Sequence, residues 1–247
     1  MHFLGLTEAR TARRIVAREP ARLHFAAADG LATICATPLP KRLWRGRAHP
    51  FDISLDVQRL IAMAATEGPF VAAAPGSEAP GSVEALAALG NLALYADILA
   101  RFGLRREHRI AIDWDARATV RAFAERDAPE LTLARALGGD LFGQAIAWAM
   151  ETERRRLGDW ALAQLQDAVE DLLTLPTRDG DQILNAVAMI GPGGQAAFDT
   201  ARARIAAALS GQSRICCVGP LPALSFAVID LRRADAVASI RRASAMA

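Results

Sequence analysis

Three short apolar runs alternate with two longer helical segments in the second half of the chain, and this order most constrains the fold. The runs are predicted strands at residues 108–115, 182–190 and 214–218, and the helical segments cover residues 141–175 and 194–209. Helices that alternate with so few strands favour an open sheet covered on one face by helices over a doubly wound sheet. The sequence therefore predicts an α+β fold whose C-terminal part is ferredoxin-like.

The first strand and the long helix of this series have clear periodicities. In HRIAIDWD, Ile110, Ile112 and Trp114 alternate with polar neighbours, which predicts a half-buried strand. The segment 141–175 carries one apolar stripe at helical spacing, formed by Leu157, Ala161, Leu165, Ala168 and Leu172. Such a stripe is typical of a helix that packs one face against a sheet.

The clearest local signal in the first half is Asp29-Gly30, which lies between the apolar runs 22–28 and 31–37. A two-residue Asp-Gly turn between alternating runs predicts a β-hairpin. The other predicted elements of this half are a strand at 2–6, helices at 8–18, 52–68 and 82–103, and a short strand that follows Pro69. The helix at 82–103 is apolar nearly all round, so it is predicted to be buried.

These elements predict two domains. A smaller α+β domain covers residues 1–106, and a ferredoxin-like α+β domain with the long helix covers residues 107–247. Residues 38–50 combine prolines with basic side chains and are predicted to form an irregular basic loop. A last amphipathic helix is predicted from Arg232 onward.

Charge and hydropathy limit the classes of partner. The formal net charge is +2, so no overall basic field favours nucleic acid or a membrane. Residues 1–50 hold nine Lys or Arg against three Asp or Glu, whereas residues 151–181 hold four Arg against eight acidic residues. These regions are predicted to be solvated faces or to complement each other. No signal peptide and no run of about 18 uncharged apolar residues is found, so we expect a cytoplasmic protein.

One stretch satisfies the spacing of a dinucleotide-binding turn. Gly191, Gly193 and Ala196 match G-x-G-x-x-A between a strand and a helix, where backbone N–H groups can approach phosphate. A working site also needs an acidic side chain about 20 residues further on to hold the ribose. No Asp or Glu occurs between Asp199 and Asp230. The pattern therefore predicts a structural turn that binds no cofactor.

Candidate catalytic and metal-binding residues do not form a recognisable set. They are His2, His24, His49 and His108, with Cys35, Cys216 and Cys217. No metal-ligand spacing occurs among them, and the cysteines are predicted to be small core residues in strands. Ser225 lacks the G-x-S-x-G elbow, and Glu151 and Glu153 precede Arg154–Arg156 at the spacing of helix-surface ion pairs. The sequence therefore predicts a protein that is not an enzyme and holds no metal.

The segment RICCVGPLPALSF at residues 214–226 contains the pattern Gly-Pro-x-Pro-x-x-Ser-Phe, formed by Gly219, Pro220, Pro222, Ser225 and Phe226. This pattern resembles the closing motif of the gas vesicle protein family GvpL/GvpF. The acidic long helix, the strand ILNAVAMI before an Ala-rich helix with Phe198, and Trp114 at the end of a strand are also similar to that family. The resemblance covers residues 82–230.

The resemblance implies a two-domain α+β accessory protein of gas vesicle assembly, located in the cytoplasm at the vesicle. Such a protein would bind the small hydrophobic shell protein, together with other vesicle accessory proteins, and would not be a catalyst. Two alternatives remain open at this point. One is a nucleotide- or small-molecule-binding enzyme domain that uses Gly191–Gly194, and the other is an interaction module unrelated to vesicles.

The basic loop is the candidate partner-binding segment. Its candidate contact residues are Lys41, Arg42, Trp44, Arg45 and Arg47. Trp and Arg are enriched at binding hot spots, so an exposed Trp among arginines predicts a contact with an apolar partner. The alternative is that Trp44 packs into the N-terminal core and that the arginines pair with the acidic residues of 151–181.

Overall fold

The computed structural model describes residues 2–37, 50–73, 92–125, 129–178, 180–209, 213–228 and 239–240. Its packing divides the chain into two compact units, the first containing residues 1–107 and 220–247 and the second residues 108–219. Residues 220–228 are thus grouped with the first half of the chain. The division into two domains at residues 106 and 107 stays a prediction.

The first unit is built on a four-stranded antiparallel sheet. Its strands are β1 (His2–Glu8), β2 (Leu23–Ala28), β3 (Leu31–Ala36) and β4 (Phe70–Ala72). Its described helices are α1 (Ala9–Arg18), α2 (Pro50–Thr66) and α3 (Leu92–Phe102). The strands lie in the order β2-β3-β1-β4, and β1 pairs antiparallel with both β3 and β4, as β2 does with β3. The strand β1 is therefore central although it comes first in the chain.

The predicted hairpin is confirmed. The strands β2 and β3 pair from Leu23 opposite Ala36 to Ala28 opposite Leu31. Asp29 and Gly30 have φ values of 51° and 83°. Positive φ at both central residues is the geometry of a type I′ turn, which matches the twist of the flanking strands.

The core of the first unit lies between the sheet and its helices. The helix α1 contributes Ala12 and Ile15, and α2 contributes Leu60 and Ala64. Gly5 permits a close approach of β1 to β4, because a Cβ at residue 5 would lie 2.2 Å from the Val71 carbonyl oxygen. This contact requires glycine, since a backbone atom cannot move aside as a flexible side chain would.

The helix α3 is amphipathic over its described length, so the prediction of burial all round is wrong there. Tyr95, Ile98, Leu99 and Phe102 are buried, whereas the opposite side is exposed. The exposed residues are Ala93, Ala96, Asp97, Ala100 and Arg101. Alanines satisfy an apolar periodicity in sequence, but they bury little area and can remain at the surface.

The second unit contains a second four-stranded sheet. Its strands are β5 (Arg106–Trp114), β6 (Asp171–Thr174), β7 (Gln182–Ile190) and β8 (Ser213–Pro222), of which residues 106–107 of β5 and 220–222 of β8 belong to the first unit. Its helices are α4 (Ala116–Glu125), α5 (Pro129–Leu137), α6 (Gly139–Gln166) and α7 (Gln195–Ala208). The order β6-β7-β5-β8 repeats the order of the first sheet, with the earliest strand again beside the latest.

One predicted helical region is corrected, and a second is contradicted at two described residues. The long helix ends at Gln166, and residues 171–174 form β6, which pairs antiparallel with β7. Leu172 has helical spacing from the α6 stripe, but the pairing of β6 with β7 decides its conformation. Within the helix predicted from Arg232, residues 239–240 form β10 (Ser239–Ile240), which pairs with β9 (Ala227–Val228), and residues 232–238 lie outside the described residues.

The core of the second unit joins the sheet to α6 and α7. Ala161 and Leu165 of α6 and Phe198, Ala201 and Ile205 of α7 belong to one buried cluster with residues of β5 and β7. The strand β7 is buried along its full length. The prediction of a mixed helix and sheet fold is confirmed. Among the described helices, none is long and apolar enough to cross a membrane.

Candidate functional site

The glycine turn between β7 and α7 has a carboxylate beside it. A Cβ at residue 191 would lie 1.8 Å from Oε1 of Glu170, so this carboxyl occupies the space next to the glycine. Gly193 has a φ of 85°, and the N–H of Gly194 donates to the Gly191 carbonyl oxygen at 3.0 Å. A phosphate here would meet a negative charge, and the glycines have structural roles. The geometry therefore favours a structural turn over a dinucleotide site.

The three cysteines lie in different environments. Cys35 is buried in β3, as predicted, and burial raises the pKa of its thiol. Cys217 is half-buried, with Sγ 3.7 Å from Nδ1 of His108, and burial also raises the pKa of its thiol. Cys216 is exposed, so the prediction of burial is wrong for this residue. Adjacent residues of a strand point to opposite faces, which places one cysteine of the pair outside the core.

The contact between Cys217 and His108 has the composition of a catalytic pair but lacks its electrostatics. His108 is 5% exposed, its ring centroid lies 4.6 Å from that of Phe198, and burial lowers its pKa. A nucleophilic cysteine requires a lowered thiol pKa and an imidazolium or another cation beside it. Here the Cys217 thiol pKa is raised and the His108 ring pKa is lowered, so both groups favour their neutral forms. The pair is separated by 109 residues in sequence and has no motif that predicts it.

The carboxylates of α6 form the predicted helix-surface ion pairs. Glu151 bonds Arg154 and Arg155 at 2.7 Å, and Glu153 bonds Arg156 at 2.7 Å. Hydrogen bonds from Arg154 and then Arg155 lower the pKa of Glu151 to about 2. Such carboxylates stay ionised and are poorly suited to general acid chemistry at neutral pH. No group of three His, Cys, Asp or Glu that could hold a metal ion occurs in the described ranges.

The Gly-Pro-x-Pro-x-x-Ser-Phe segment begins as the exposed end of β8, at Gly219 and Pro220, and then forms a turn at residues 223–226 in the first unit. Ser225 donates its backbone N–H to Oε2 of Glu107 at 2.7 Å, and its hydroxyl donates to Oε1 at 3.3 Å. Glu107 is 5% exposed and Phe226 is 2% exposed. The N–H of Ala227, the first residue of β9, donates to the Ala223 carbonyl oxygen at 2.8 Å. The motif therefore contributes to structure, with Ser225 as a hydrogen-bonded turn residue.

Exposed apolar side chains concentrate on three consecutive helices of the second unit. They are Val120 of α4, Leu133 of α5, and Leu141 and Trp148 of α6, with exposures of 45%, 64%, 51% and 66%. Leu141 and Trp148 are seven residues apart, which is about two turns, so they project from one side of α6. We call these two side chains the α6 apolar face. A Trp exposed to this extent marks a candidate partner-binding surface.

The neighbouring helices hold this part of α6 in place. Leu131 and Ala134 are buried on α5, which packs on α6 together with α4. Arg135 of α5 donates to the Ala124 carbonyl oxygen at the end of α4, and its guanidinium lies 5.2 Å from the Phe142 ring centroid. One arginine thus links the three helices, so the α6 apolar face is presented on a preformed support.

A shallow groove in the first unit is a second candidate surface. Its volume is about 680 Å³, and it lies where the β2–β3 turn, the start of α1 and the side of α3 meet. Leu31, Leu99 and Leu104 contribute apolar surface, and Glu8 and Asp29 contribute carboxylates. An apolar surface with a charged rim is the composition of a protein-binding site and does not assemble a catalytic group.

The residues predicted to bind a partner lie outside the described residues. Arg42, Trp44, Arg45 and Arg47 all fall between residues 38 and 49. Their contact with a partner therefore stays a prediction. The α6 apolar face was not predicted, because residues 141–150 are apolar on several sides and the sequence alone does not indicate which side α4 and α5 cover.

Comparison with known proteins shows which protein family the chain resembles. The family model described as "Gas vesicle synthesis protein GvpL/GvpF" matches residues 83–228, which is more than half of the chain. A sequence search of curated proteins finds no significant match.

Two solved structures resemble the fold over nearly its whole length. The gas vesicle protein GvpF from Anabaena sp. PCC7120 has a TM-score of 0.64 at 12% identity, and the alignment covers 98% of each chain. GvpF from Microcystis aeruginosa has a TM-score of 0.62 at 15% identity, covering 91% of this chain and 97% of that one.

Proposed function

The chain belongs to the gas vesicle synthesis protein family GvpL/GvpF, and from this premise we propose that it is a non-catalytic assembly factor that binds the small hydrophobic shell protein of the vesicle. The family gives the chain a role in gas vesicles. The observation that carries the proposal further is the α6 apolar face, with Trp148 66% exposed. A factor that holds an apolar partner needs such a surface, because burial of apolar area is the main driving force of association.

The chemistry of the α6 apolar face fits an apolar partner. Leu141 and Trp148 are followed along α6 by the ion-paired Glu151 and Arg155. An apolar centre with a charged border is the usual anatomy of a protein interface, in which the border contributes selectivity. Full burial of one large apolar side chain contributes about 1.5–3 kcal/mol, so two anchors account for a modest, reversible affinity after the entropic cost of binding.

The basic segment contributes a second part of the proposed contact. Arg42, Trp44, Arg45 and Arg47 combine one large aromatic surface with three cations. Two separate patches on one chain increase the apparent affinity if the partner engages both at once. Other vesicle accessory proteins are proposed as further partners of these patches.

The proposal that the chain is not a catalyst rests on the neutral or ion-paired forms of the titratable groups in the described residues. The thiol of Cys217 and the ring of His108 both favour neutral forms, and Glu151 and Glu153 are ion-paired. The carboxyl of Glu170 lies at the glycine turn that would have to accept a phosphate. None of these arrangements supplies an activated nucleophile or a poised general base.

The finer fold assignment is part of the proposal. We propose that the second unit is ferredoxin-like, since its strands and helices follow the connectivity β5-α6-β6-β7-α7-β8, with α4 and α5 inserted before α6. The strand order β6-β7-β5-β8 supports this assignment. The division into two domains after residue 106 is also proposed, since the packing changes unit at residue 108, with residues 220–247 grouped with the first unit.

Co-purification with the shell protein tests the function. Tagged chain and untagged shell protein are expressed together, and the amount of shell protein retained is measured for wild type and for the pair Leu141→Ala and Trp148→Ala. The pair is expected to lower retention at least tenfold, while the thermal midpoint changes little because both side chains are exposed. The matched control is Leu55→Ala on α2, which removes a side chain of 50% exposure in the first unit.

Three outcomes decide between the parts of the proposal. Loss of retention in the α6 pair with normal retention in the Leu55 control supports the α6 apolar face. Normal retention in the α6 pair, with loss on replacing Trp44, Arg45 and Arg47 by Ala, rejects the α6 apolar face and supports the basic segment. No retention of the shell protein by wild type rejects the proposed function.

A further inference from the structure

The strand β8 forms one outer edge of the second sheet, in the order β6-β7-β5-β8. Its ten residues make it the longest outer strand of the described sheets, whereas β6 at the opposite edge has four. Arg214, Cys216 and Val218 are exposed, and Ile215 and Cys217 pack against the core. An outer strand presents a row of backbone N–H and C=O groups to which another strand can bond.

Within β8 itself, the residues that discourage pairing lie at its ends. Natural proteins discourage strand addition with charges, prolines, bulges or very short edge strands. In β8 the charged residue is Arg214, and the prolines are Pro220 and Pro222. Residues 215–218 carry neither charge nor proline. Because proline lacks an N–H group, the segment able to pair runs from Ser213 to Gly219.

We propose that β8 pairs antiparallel with β8 of a second copy of this chain, about a two-fold axis at Cys216. Cys216 is the centre of the segment 213–219, so this register uses every residue that can pair. Arg214 then lies opposite Val218 of the second copy, and Ile215 lies opposite Cys217. Each core-facing apolar side chain keeps an apolar neighbour, and the two sheets become one of eight strands.

Residues 213–219 can pair with the same residues of a second copy without placing two like charges opposite each other, and we therefore propose a second copy as the partner of this edge. In a two-fold antiparallel pair, every residue meets the residue equally far from the axis on the other copy. The single charge of β8 therefore faces an apolar side chain, and the two arginines lie four residues apart along the pair, about 14 Å. Like charges directly opposite would destabilise the pair. A closed two-fold contact also uses both edges completely and leaves no site for further growth at β8.

Cys216 provides a direct measurement of this register. Cys35 is buried and the Cys217 thiol contacts His108, so Cys216 is the exposed cysteine among the three. Directly opposed residues of an antiparallel pair have Cβ atoms about 4.5–5.5 Å apart, close to the separation in a disulfide. Mild oxidation of the full chain is expected to give a disulfide-linked species of twice the 26.3 kDa chain mass. The variant Cys216→Ser should lose it.

A matched control separates pairing from random collision. Ala207 is exposed on α7, so Ala207→Cys in a Cys216→Ser background reports the rate at which any exposed cysteine crosslinks. A rate for Cys216 at least tenfold above this control supports the proposal. Equal rates overturn it.

A charge exchange tests the same register without disulfide chemistry. Cys216→Arg and Cys216→Glu are each expected to sediment as monomers, because two like charges would face each other at the axis. Their mixture is expected to form a heterodimer, which also shows that both variants are folded. A monomeric wild type at the highest attainable concentration, dimers in both single variants, or a monomeric mixture would each overturn the proposal.

Discussion

Removing the carboxyl of Glu107 is expected to destabilise the first unit through the turn at Ser225. Glu107 is 5% exposed and accepts the Ser225 N–H at 2.7 Å and the Ser225 hydroxyl at 3.3 Å. The turn it holds precedes the buried Phe226 and the strand β9. Because residues 107 and 225 are far apart in sequence, the contact stabilises the return of the chain to the first unit.

The magnitude follows from what each substitution removes. Glu107→Ala removes the acceptor of the Ser225 N–H and hydroxyl hydrogen bonds, at about 0.5–1.5 kcal/mol each, and also buried methylene groups at about 0.8 kcal/mol each. Relief of the desolvation of the carboxyl offsets part of this loss, so the expected cost is about 2–4 kcal/mol. Glu107→Gln keeps an oxygen acceptor and should cost about 1 kcal/mol. Ser225→Ala removes only the longer hydroxyl contact and should cost about 0.5 kcal/mol.

Urea unfolding followed by circular dichroism gives the three free energies. Hydrogen exchange adds a local measurement, because the Ser225 amide should lose protection in Glu107→Ala and keep it in Ser225→Ala. Equal costs for Glu107→Ala and Ser225→Ala, or unchanged protection of the Ser225 amide, would refute the assignment of this contact as a support of the turn.

Two further predictions concern the packing of each unit. Gly5→Ala should cost more than about 2 kcal/mol in urea unfolding, because its Cβ would lie 2.2 Å from the Val71 carbonyl oxygen. The control Gly193→Ala has open space and should cost only about 1 kcal/mol from its φ of 85°, so equal costs would contradict the close approach. For His108, burial holds the folded pKa below 6.5, so the unfolded state binds the proton first and stability should fall as pH drops below 6.5. His108→Phe should flatten this slope in thermal unfolding, and an unchanged slope would show that other groups cause it.

The elements that were predictable from sequence are those whose signal lies in adjacent residues. The Asp29-Gly30 turn, the alternation in β5 and the apolar run of β7 each specify a local conformation. The strand β6 was not predictable in this way, because its conformation depends on pairing with β7. The same limit applies to Leu172, whose helical spacing proved to be coincidental.

The candidate surfaces were less predictable than the fold. The exposure of Leu141 and Trp148 depends on where α4 and α5 pack, which is a tertiary property without a local pattern. The contact of Cys217 with His108 joins residues 109 positions apart. Family membership was predictable because the spacing from Gly219 to Phe226 is itself a local pattern, and the matched residues 83–228 confirm it.

In α6, the exposed side chains that are proposed to bind a partner and the buried residues that anchor the helix lie in different halves of the same helix. Its 28 residues extend about 42 Å, and its fully buried residues begin at Gly158. There a Cβ would lie 3.0 Å from the Ile183 carbonyl oxygen, so the helix is anchored closely to β7. Leu141 lies about 26 Å along the axis from this anchor. The first half of α6 therefore acts as a spacer whose outer surface can change during evolution, and so change its partner, without any change in the sheet.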